Sequence, residues 1–356
     1  MPARPSSMGK ATKSRRRGLH DSSRGRETMA MRSHLLGLLA AGVLGLGSVG
    51  TSQADVRLTL GHTGDSGSLY ALSAEEFARV ANERLDGYTV TVYGSSQMGS
   101  DTEMLQRLLV GTLDMAMPST VMSSEVPEFA VFEMPYLVRD REHMKRIEEA
   151  FFWDDLAPLA EQKGFKVLGL WENGFRHLTT SRRAVTEPEH LSGLRIRTPG
   201  SPWRLAMFEA YGSNPSPMEF SEVFLALQTR VMDGQENPFA QIYTSRFYEV
   251  QDHLSLTRHV YTPLYLTAGV RNFATLPAEV QETLQQTARD VQSFVYETAA
   301  RLEDELLELL RETDIEIHSV NTDAFIDASA PVYEQFAREV PTAAQMVETA
   351  IELGRE

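Results

Sequence analysis

The sequence has 356 residues, a formal net charge of −15 at pH 7 and no cysteine. Without cysteine, disulfides, thiol catalysis and thiolate metal sites are excluded. The acidic charge argues against nucleic acid or anionic lipid as a partner, because both are negative themselves.

The first 54 residues differ in composition from the rest and predict an export signal. Residues 1–32 are basic and polar, and residues 35–49 are nearly all Leu, Ala, Gly and Val. The stretch ends in Ser52-Gln53-Ala54, with small residues where a signal peptidase cuts. Because the apolar run is shorter than the roughly 20 residues of a membrane span, we expect cleavage after Ala54. A twin-arginine signal at residues 14–16 is the alternative, although the apolar run begins far downstream of it.

Removal of the predicted signal makes the chain more acidic. Residues 55–356 hold 25 Lys and Arg against 47 Asp and Glu, which gives a net charge of −22. An anionic ligand would have to be captured against this field, so it would need a local cationic pocket.

Strand and helix patterns alternate after residue 55 and predict an α/β architecture. Alternating residues predict strands at 56–60 and 88–93, with an amphipathic helix between them. Ser100 and Glu103 form a capping box at the start of the next helix, and a third strand follows at 113–117. Two strand–helix–strand repeats at this spacing predict a doubly wound lobe.

The second half continues the alternation. A strand is predicted at 166–171, followed by a turn at Glu172-Asn173-Gly174. Ser201-Pro202 begins a helix. The stretch that begins at Pro277 and runs to about Arg311 has no internal Gly or Pro and predicts one helix of about 50 Å. Helices at 323–338 and 342–353 complete the chain.

The segment Leu194-Arg195-Ile196-Arg197 carries the clearest chemical pattern. On a strand, side chains alternate, so both arginines share one face and both apolar residues share the other. A guanidinium presents paired N–H donors that match the two oxygens of a carboxylate. Composition alone nevertheless favours two arginines on a solvated face.

Residues 191–238, taken with Phe175-Arg176, resemble the ligand cleft of the substrate-binding proteins of tripartite ATP-independent periplasmic (TRAP) transporters, the DctP family. The resemblance extends over nearly all of the chain after residue 55. It implies a two-lobed, class II-like periplasmic binding protein fold of the α/β class, with a long helix that braces both lobes. The implied lobes are 55–174 plus 263–302, and 175–262 plus 303–356.

The resemblance also implies ligand-binding residues. Arg197 matches the arginine that forms a two-pronged salt bridge with the ligand carboxylate, Arg176 matches a second cationic contact, and Asn237 matches an orienting amide. The resemblance also places Phe220 as a pocket aromatic, His259 as a polar lining residue and Ser119 at a ligand-binding position. His62 and Asp65 are expected to bind the ligand because they lie in a loop between a strand and a helix. Trp171 is expected as a pocket wall, although an aromatic residue that ends a buried strand is more often part of the core. At the positions of Ser119 and Met122, sialic acid binders of this family carry glutamate and arginine, so sialic acid is disfavoured.

The implied function is capture of a small organic acid by a monomeric periplasmic receptor and its delivery to the TRAP membrane permease, with no cofactor and no metal site. Residues 171–177 and 214–218 look most like binders of hexuronates and related sugar acids, and C4-dicarboxylates are the alternative. A sensory receptor that presents its closed form to a signalling partner is an alternative of another class. Catalysis is not expected, because the sequence has neither zincin spacing nor a Gly-x-Ser-x-Gly elbow and singles out no carboxylate pair.

Overall fold

The computed structural model describes residues 56–355, and within them the chain folds around two β-sheets that are covered by helices. The predicted export signal and its cleavage after Ala54 lie outside the described residues. The strands are β1 (Val56–Gly61), β2 (Tyr88–Tyr93), β3 (Met115–Ala116), β4 (Phe165–Phe175), β5 (His177–Thr180), β6 (Arg195–Thr198), β7 (Asn214–Pro217), β8 (Gly234–Asn237), β9 (His253–Ser255), β10 (Tyr261–Gly269) and β11 (Glu316–His318).

The α-helices within these residues alternate with the strands in the first part of the chain and dominate its end. They are α1 (Leu69–Arg84), α2 (Asp101–Val110), α3 (Met122–Glu125), α4 (Arg141–Ile147), α5 (Ala157–Gln162), α6 (Pro202–Ala210), α7 (Val223–Gln228), α8 (Phe239–Thr244), α9 (Val270–Phe273), α10 (Ala278–Arg311), α11 (Thr322–Ala328), α12 (Ala330–Glu339) and α13 (Pro341–Leu353). No helix among residues 56–355 combines the length and apolarity that crossing a membrane requires.

The first sheet has the strand order β2-β1-β3-β10-β4, and the second has the order β11-β9-β5-β8-β6-β7. In the first, β1 pairs in parallel with β2 and β3, while β10 runs antiparallel to both of its neighbours. The predicted α/β class and two-lobed architecture are confirmed. The exact lobe boundaries stay a prediction.

The chain passes between the sheets at two adjacent places. Phe175 ends a strand of the first sheet and His177 begins a strand of the second, so Arg176 is the single residue between them. On the return, Val260 directly precedes β10. The two crossings are joined by a hydrogen bond from the backbone N–H of Arg176 to the carbonyl oxygen of Val260, 3.0 Å long. Side chains at these crossings therefore lie where both sheets can reach a ligand.

The long helix α10 packs against elements of both sheets. Its neighbours include α1 and β4 on the side of the first sheet and α8, which follows β8 of the second. Buried residues recur along one face at helical spacing, from Leu284 and Ala288 to Leu306 and Leu310. The predicted helix at 277–311 is thus confirmed to within one residue.

Two local predictions are wrong. The helix predicted at 323–338 is instead two helices, α11 and α12, which are separated at Ser329. Pro331 lies in the first turn of α12 and has no backbone N–H to donate, so it does not continue the hydrogen bonding of α11. The predicted turn at Glu172-Asn173-Gly174 is instead part of β4. There Thr262 pairs with Gly174 and Pro263 pairs with Glu172, which leaves Asn173 as the extra residue of a bulge.

Substitution of Gly234 tests how closely β8 packs against the neighbouring strand β5. A Cβ at this position would lie 2.4 Å from the backbone oxygen of Thr179, so the strands would have to shift. We expect Gly234→Ala to lower the free energy of unfolding by about 1–3 kcal/mol in urea denaturation. Gly200→Ala is the matched control, because its Cβ would meet nothing closer than 4.0 Å. Equal stability of the two variants would contradict the tight packing at β8.

Candidate functional site

A cleft that encloses ≈ 410 Å³ of empty space, part of it open to solvent, is lined by residues from the segments of both sheets; it is called the cavity below. Its walls come from both sides of the chain crossings. The lining residues before the first crossing are Thr63, Gly64, Tyr70, Asp101, Ser119, Thr120, Val121 and Asn173, and those after it are Arg176, Arg197, Pro199, Phe220, Asn237 and Gln241.

The structure brings five of the nine predicted site residues together in this cavity. They are Arg176, Arg197, Asn237, Phe220 and Ser119. They come from five separate segments that span more than a hundred positions of the sequence. Their convergence defines the candidate site, although ligand contact by any of them stays a prediction.

The other four predicted residues do not line the cavity, and each has a structural reason. Trp171 is fully buried in the core, where its indole N–H donates to the carbonyl oxygen of Ala288 at 2.9 Å. The expectation that Trp171 walls the pocket is therefore corrected. Asp65 accepts a 2.6 Å hydrogen bond from the hydroxyl of Ser245, which joins the loop after β1 to the end of α8.

The two predicted histidines also lie behind the cavity surface. The ring of His62 is buried 6.3 Å from that of Tyr70, and burial lowers the pKa of His62 to about 4. His259 is buried between the hydroxyl of Thr257 and the carboxylate of Glu236, at 2.8 and 3.1 Å. Both histidines are thus supports of the site in this structure, and neither forms its surface.

Arg197 reaches the cavity because of the alternation in β6. Leu194 and Ile196 are buried in the core, while Arg195 stays at the surface and pairs with Asp233 at 2.9 Å. Arg197 is only 3% exposed, and its Nε and Nη2 donate to the carbonyl oxygen of Met218 at 2.9 and 2.6 Å.

The electrostatic state of Arg197 is unusual for a buried arginine. Among residues 56–355 its guanidinium forms no ion pair with a carboxylate within 4.0 Å. Burial lowers its pKa to about 10, which still leaves it charged at neutral pH. An isolated buried charge is costly unless a counter-charge is supplied. Arg197 is therefore the point at which an anion would be stabilised most.

Arg176 is anchored by a neighbouring carboxylate. Its Nε and Nη2 donate to the two carboxylate oxygens of Glu236 at 2.5 and 2.9 Å, and Nη2 also donates to Asn237 Oδ1 at 3.0 Å. Asn237 in turn donates through Nδ2 to Gln235 Oε1 at 2.6 Å. These bonds fix the guanidinium of Arg176 and the amide of Asn237 at the cavity wall.

Sequence reasoning missed the buried charges behind this wall. Arg204 on α6 donates to Glu236 at 2.7 Å and to Glu133 at 2.8 Å, and all three side chains are almost completely buried. Burial opposes ionisation of Glu236, but the charges of Arg176 and Arg204 outweigh it and lower its pKa. Burial raises the pKa of Glu133. Only the position of Glu236 beside Asn237 offered a sequence clue.

Asp101 is the most informative missed residue on the opposite wall. It is the first residue of α2, where the predicted capping box begins, and it accepts hydrogen bonds from the hydroxyl of Thr63 at 3.3 Å. Desolvation, followed by the nearby charge of Glu219, raises the pKa of Asp101 to about 7, although Arg197 acts in the opposite direction. The cavity thus has a cationic wall and a wall that carries a titratable carboxyl group.

Two further lining residues hold polar atoms with unused bonding capacity. Gln241 donates through Nε2 to Asn173 Oδ1 at 2.7 Å, while its Oε1 is buried and finds no partner among residues 56–355. Thr120 Oγ1 is in the same condition. Buried polar atoms are nearly always hydrogen-bonded in native proteins, so both atoms indicate a polar ligand. Asn173 reaches the cavity because of the bulge in β4.

Substitution of Arg204 tests how much its buried ion pairs contribute to the stability of the protein. Replacing Arg204 with leucine would leave Glu133 and Glu236 without it, and removal of one partner of a buried ion pair costs about 3–5 kcal/mol. We expect Arg204→Leu to lose about that much unfolding free energy in chemical denaturation. Arg79→Leu removes an arginine with two exposed glutamate partners and is the control, with a much smaller loss expected. Similar losses in both variants would contradict a structural role for the buried cluster.

Comparison with known proteins relates this geometry to a family. The family model of DctP, described as bacterial extracellular solute-binding protein family 7, matches residues 60–339. The 2,3-diketo-L-gulonate-binding periplasmic protein YiaO of Escherichia coli strain K12 is 32% identical over 329 residues, which cover 91% of this chain and 100% of the relative.

Solved structures of solute-binding proteins are also similar to this chain. The sugar acid binding protein of Advenella mimigardefordensis in complex with galactonate matches with a TM-score of 0.81 at 29% identity, over 85% of this chain and 98% of that one. A TRAP periplasmic solute-binding protein of Sulfurospirillum deleyianum with bound succinate matches with a TM-score of 0.80 at 28% identity, over 83% of this chain and 98% of that one.

Proposed function

The chain belongs to the DctP family and is a TRAP solute-binding protein, and we propose that it captures a sugar acid in the periplasm and delivers it to a membrane permease. In this proposal the ligand carboxylate forms a two-pronged salt bridge with Arg197, and Arg176 and Asn237 hold the same end. The ligand is bound and released without chemical change.

The observation that carries the proposal is the buried, unpaired charge of Arg197. Arg176 and Arg204 are equally buried, yet each has Glu236 as a direct partner. Among residues 56–355, the guanidinium of Arg197 donates to the carbonyl oxygen of Met218 and lies 6.0 Å from the ring centre of Phe220, but it has no carboxylate within 4.0 Å, so an anion that enters the cavity would complete its coordination. A charge-assisted hydrogen bond is worth about 1.5–3 kcal/mol, and a carboxylate can accept two of them from one guanidinium.

Acceptor atoms elsewhere in the lining favour hydroxyl groups at the far end of the ligand. Asp101 and Gln241 Oε1 accept hydrogen bonds, and Thr120 Oγ1 can accept or donate. A sugar acid carries one carboxylate and several hydroxyl donors, which suits this division. A second carboxylate supplies no donor at neutral pH and would approach the ionisable Asp101. The geometry therefore supports a sugar acid over a C4-dicarboxylate.

The ligands named for the relatives are carboxylates, and they include both sugar acids and a C4-dicarboxylate. The names of the Escherichia coli relative and the Advenella structure give 2,3-diketo-L-gulonate and galactonate, both sugar acids. The Sulfurospirillum structure holds succinate, which keeps a C4-dicarboxylate as the second candidate. The periplasmic location of this chain is proposed from the name of the relative and from the predicted signal.

Contacts across the cavity mouth support a closed form that ligand binding would stabilise. The hydroxyl of Ser124 donates to the carbonyl oxygen of Gly200 at 2.8 Å, and the hydroxyls of Ser123 and Ser201 are 3.0 Å apart. The bond between Ser245 and Asp65 spans the same division. A ligand that touches both walls favours closure by its differential affinity for the closed form, and we propose that the permease recognises this form.

Arg197→Ala tests the salt bridge. We expect the variant to lose about 100-fold or more in affinity for the sugar acid that binds wild type best, because two charge-assisted bonds disappear. The measurement is calorimetric titration after a thermal-shift screen of aldonates, uronates, keto acids and dicarboxylates. Ligand at about 100 times its dissociation constant adds roughly 2.7 kcal/mol of stability.

Arg195→Ala is the matched control, because this arginine lies two residues away on the same strand and pairs at the surface with Asp233. It should bind the ligand as wild type does. Unchanged binding by Arg197→Ala would overturn the salt bridge, and no response to any acid would overturn the proposed receptor function.

Asp101→Asn tests which acid class fits. Ionised Asp101 repels a second ligand carboxylate and accepts from a hydroxyl, and its pKa of about 7 means that it ionises as pH rises through neutrality. The affinity ratio of sugar acid to succinate should therefore rise on the order of tenfold between about pH 6.5 and about pH 8.5 in wild type. The ratio should stay flat in Asp101→Asn, whose side chain does not titrate. Effects of pH that act on both ligands through Arg197 cancel in this ratio. A flat wild-type ratio would contradict the proposed role of Asp101, and tighter binding of succinate than of any sugar acid would favour the dicarboxylate alternative.

A further inference from the structure

A second polar cluster lies on the edge of the second sheet, at the strand pair β9 and β11. These strands run in parallel, with Glu316 opposite His253 and His318 two residues further on. Because side chains alternate, His253, Glu316 and His318 project from the same face. Leu254 and Ile317 lie between them in sequence and pack on the opposite, buried side.

The three side chains come together at distances that suit one small cation. His253 Nδ1 and His318 Nε2 are 3.2 Å apart, and Glu316 Oε2 lies 3.4 Å from the first nitrogen and 3.7 Å from the second. Two ligands of a tetrahedral Zn²⁺, each about 2.0–2.1 Å from the ion, are about 3.3–3.4 Å from each other. The triangle of ligand atoms thus has nearly the dimensions of one face of a zinc coordination tetrahedron.

We propose that His253, Glu316 and His318 bind a divalent transition-metal cation, with Zn²⁺ as the best match. Imidazole nitrogens suit Zn²⁺, Cu²⁺ and Ni²⁺, whereas Mg²⁺ and Ca²⁺ prefer sites made of oxygen ligands. Three protein ligands leave a fourth tetrahedral position, which is open to water. The side chains are accessible to an entering ion, with exposures of 19% for His253, 23% for His318 and 69% for Glu316.

The site is separate from the acid-binding cavity. In strand β5, His177 pairs with Asn237 at the cavity end, whereas Thr180 pairs with His253 at the other end. Three residues of strand correspond to about 10 Å. A cation in the cluster would tie β11, the edge strand that follows α10, to β9. It would therefore stabilise the fold without contacting the ligand.

The sequence does not reveal the cluster, because its two histidines are 65 positions apart and neither lies in a metal-binding motif. Without a metal, the same geometry is a hydrogen bond between two imidazoles, with the carboxylate nearby. The two arrangements predict different results, because only the metal site gives saturable cation binding that depends on all three side chains.

The test is calorimetric titration of untagged, chelator-treated protein with ZnCl₂, together with the visible absorption of added Co²⁺. We expect one Zn²⁺ per chain, a Co²⁺ spectrum of tetrahedral type and a higher melting temperature with Zn²⁺. His253→Ala and His318→Ala should each weaken Zn²⁺ binding by about tenfold or more. Glu316→Gln, which keeps both histidines, should weaken it as well.

His190→Ala is the control, because His190 is an exposed histidine that contacts Thr186 away from the cluster. It should leave Zn²⁺ affinity unchanged. All three ligand positions lie at the surface, and circular dichroism checks that their variants fold. Failure of wild type to bind Zn²⁺ saturably, or equal affinity in wild type and His318→Ala, would overturn the proposal and leave the imidazole–imidazole hydrogen bond.

Discussion

The carboxylate of Glu236 holds the site together, because it lies between the guanidinium groups of Arg176 and Arg204 and also contacts His259. Each of these groups would be costly to bury alone, and each is stabilised by the same carboxylate, Arg176 through both of its oxygens and Arg204 and His259 through Oε2. With Glu133 included, the cluster holds two carboxylates, so Arg176 and Arg204 are balanced. Arg197 then adds a third buried guanidinium without a third buried glutamate. Arg176 and Arg204, which support the site, are thus in direct contact with carboxylates, whereas Arg197, which lines the cavity, has no carboxylate within 4.0 Å among residues 56–355.

The location of this charge follows from the topology. Arg176 and His259 flank the two places where the chain passes from one sheet to the other, and these crossings are hydrogen-bonded to each other. A cavity at such a point receives side chains from both sheets without long loops. In the proposed function it would also couple binding to closure, because a ligand held by Arg197 on one side and by Asp101 on the other would contact both walls only when they approach. Helix α10, which packs against elements of both sheets, limits how the two sides can move.

Sequence reasoning predicted what local patterns determine. The capping box at Ser100 and Glu103, the start of α6 at Pro202 and the whole of α10 depend on residues close in sequence, and all are confirmed. Arg197 was singled out by strand alternation together with a family resemblance. The remainder depended on pairing between distant segments. The bulge that turns Asn173 toward the cavity arises from the register of β4 against β10, and the partners of Arg204 come from two distant parts of the chain. No local pattern contains that information.

The acidic surface and the cationic cavity act over different distances. The net charge of −22 carried by residues 55–356 repels an approaching anion, but this repulsion is screened beyond about 10 Å at 0.1 M salt. Inside the cavity, Arg197 is only 3% exposed, and a buried charge is screened less, so in the proposed function its attraction would dominate once the ligand has entered. Asp101 would add a second, local selection, because its ionised form would accept a hydrogen bond from a hydroxyl and repel a carboxylate at the far end of the ligand. In the proposed function, affinity for an anion and selectivity among anions would thus depend on different walls, so ligand preference could change at Asp101 while the proposed carboxylate site at Arg197 is preserved.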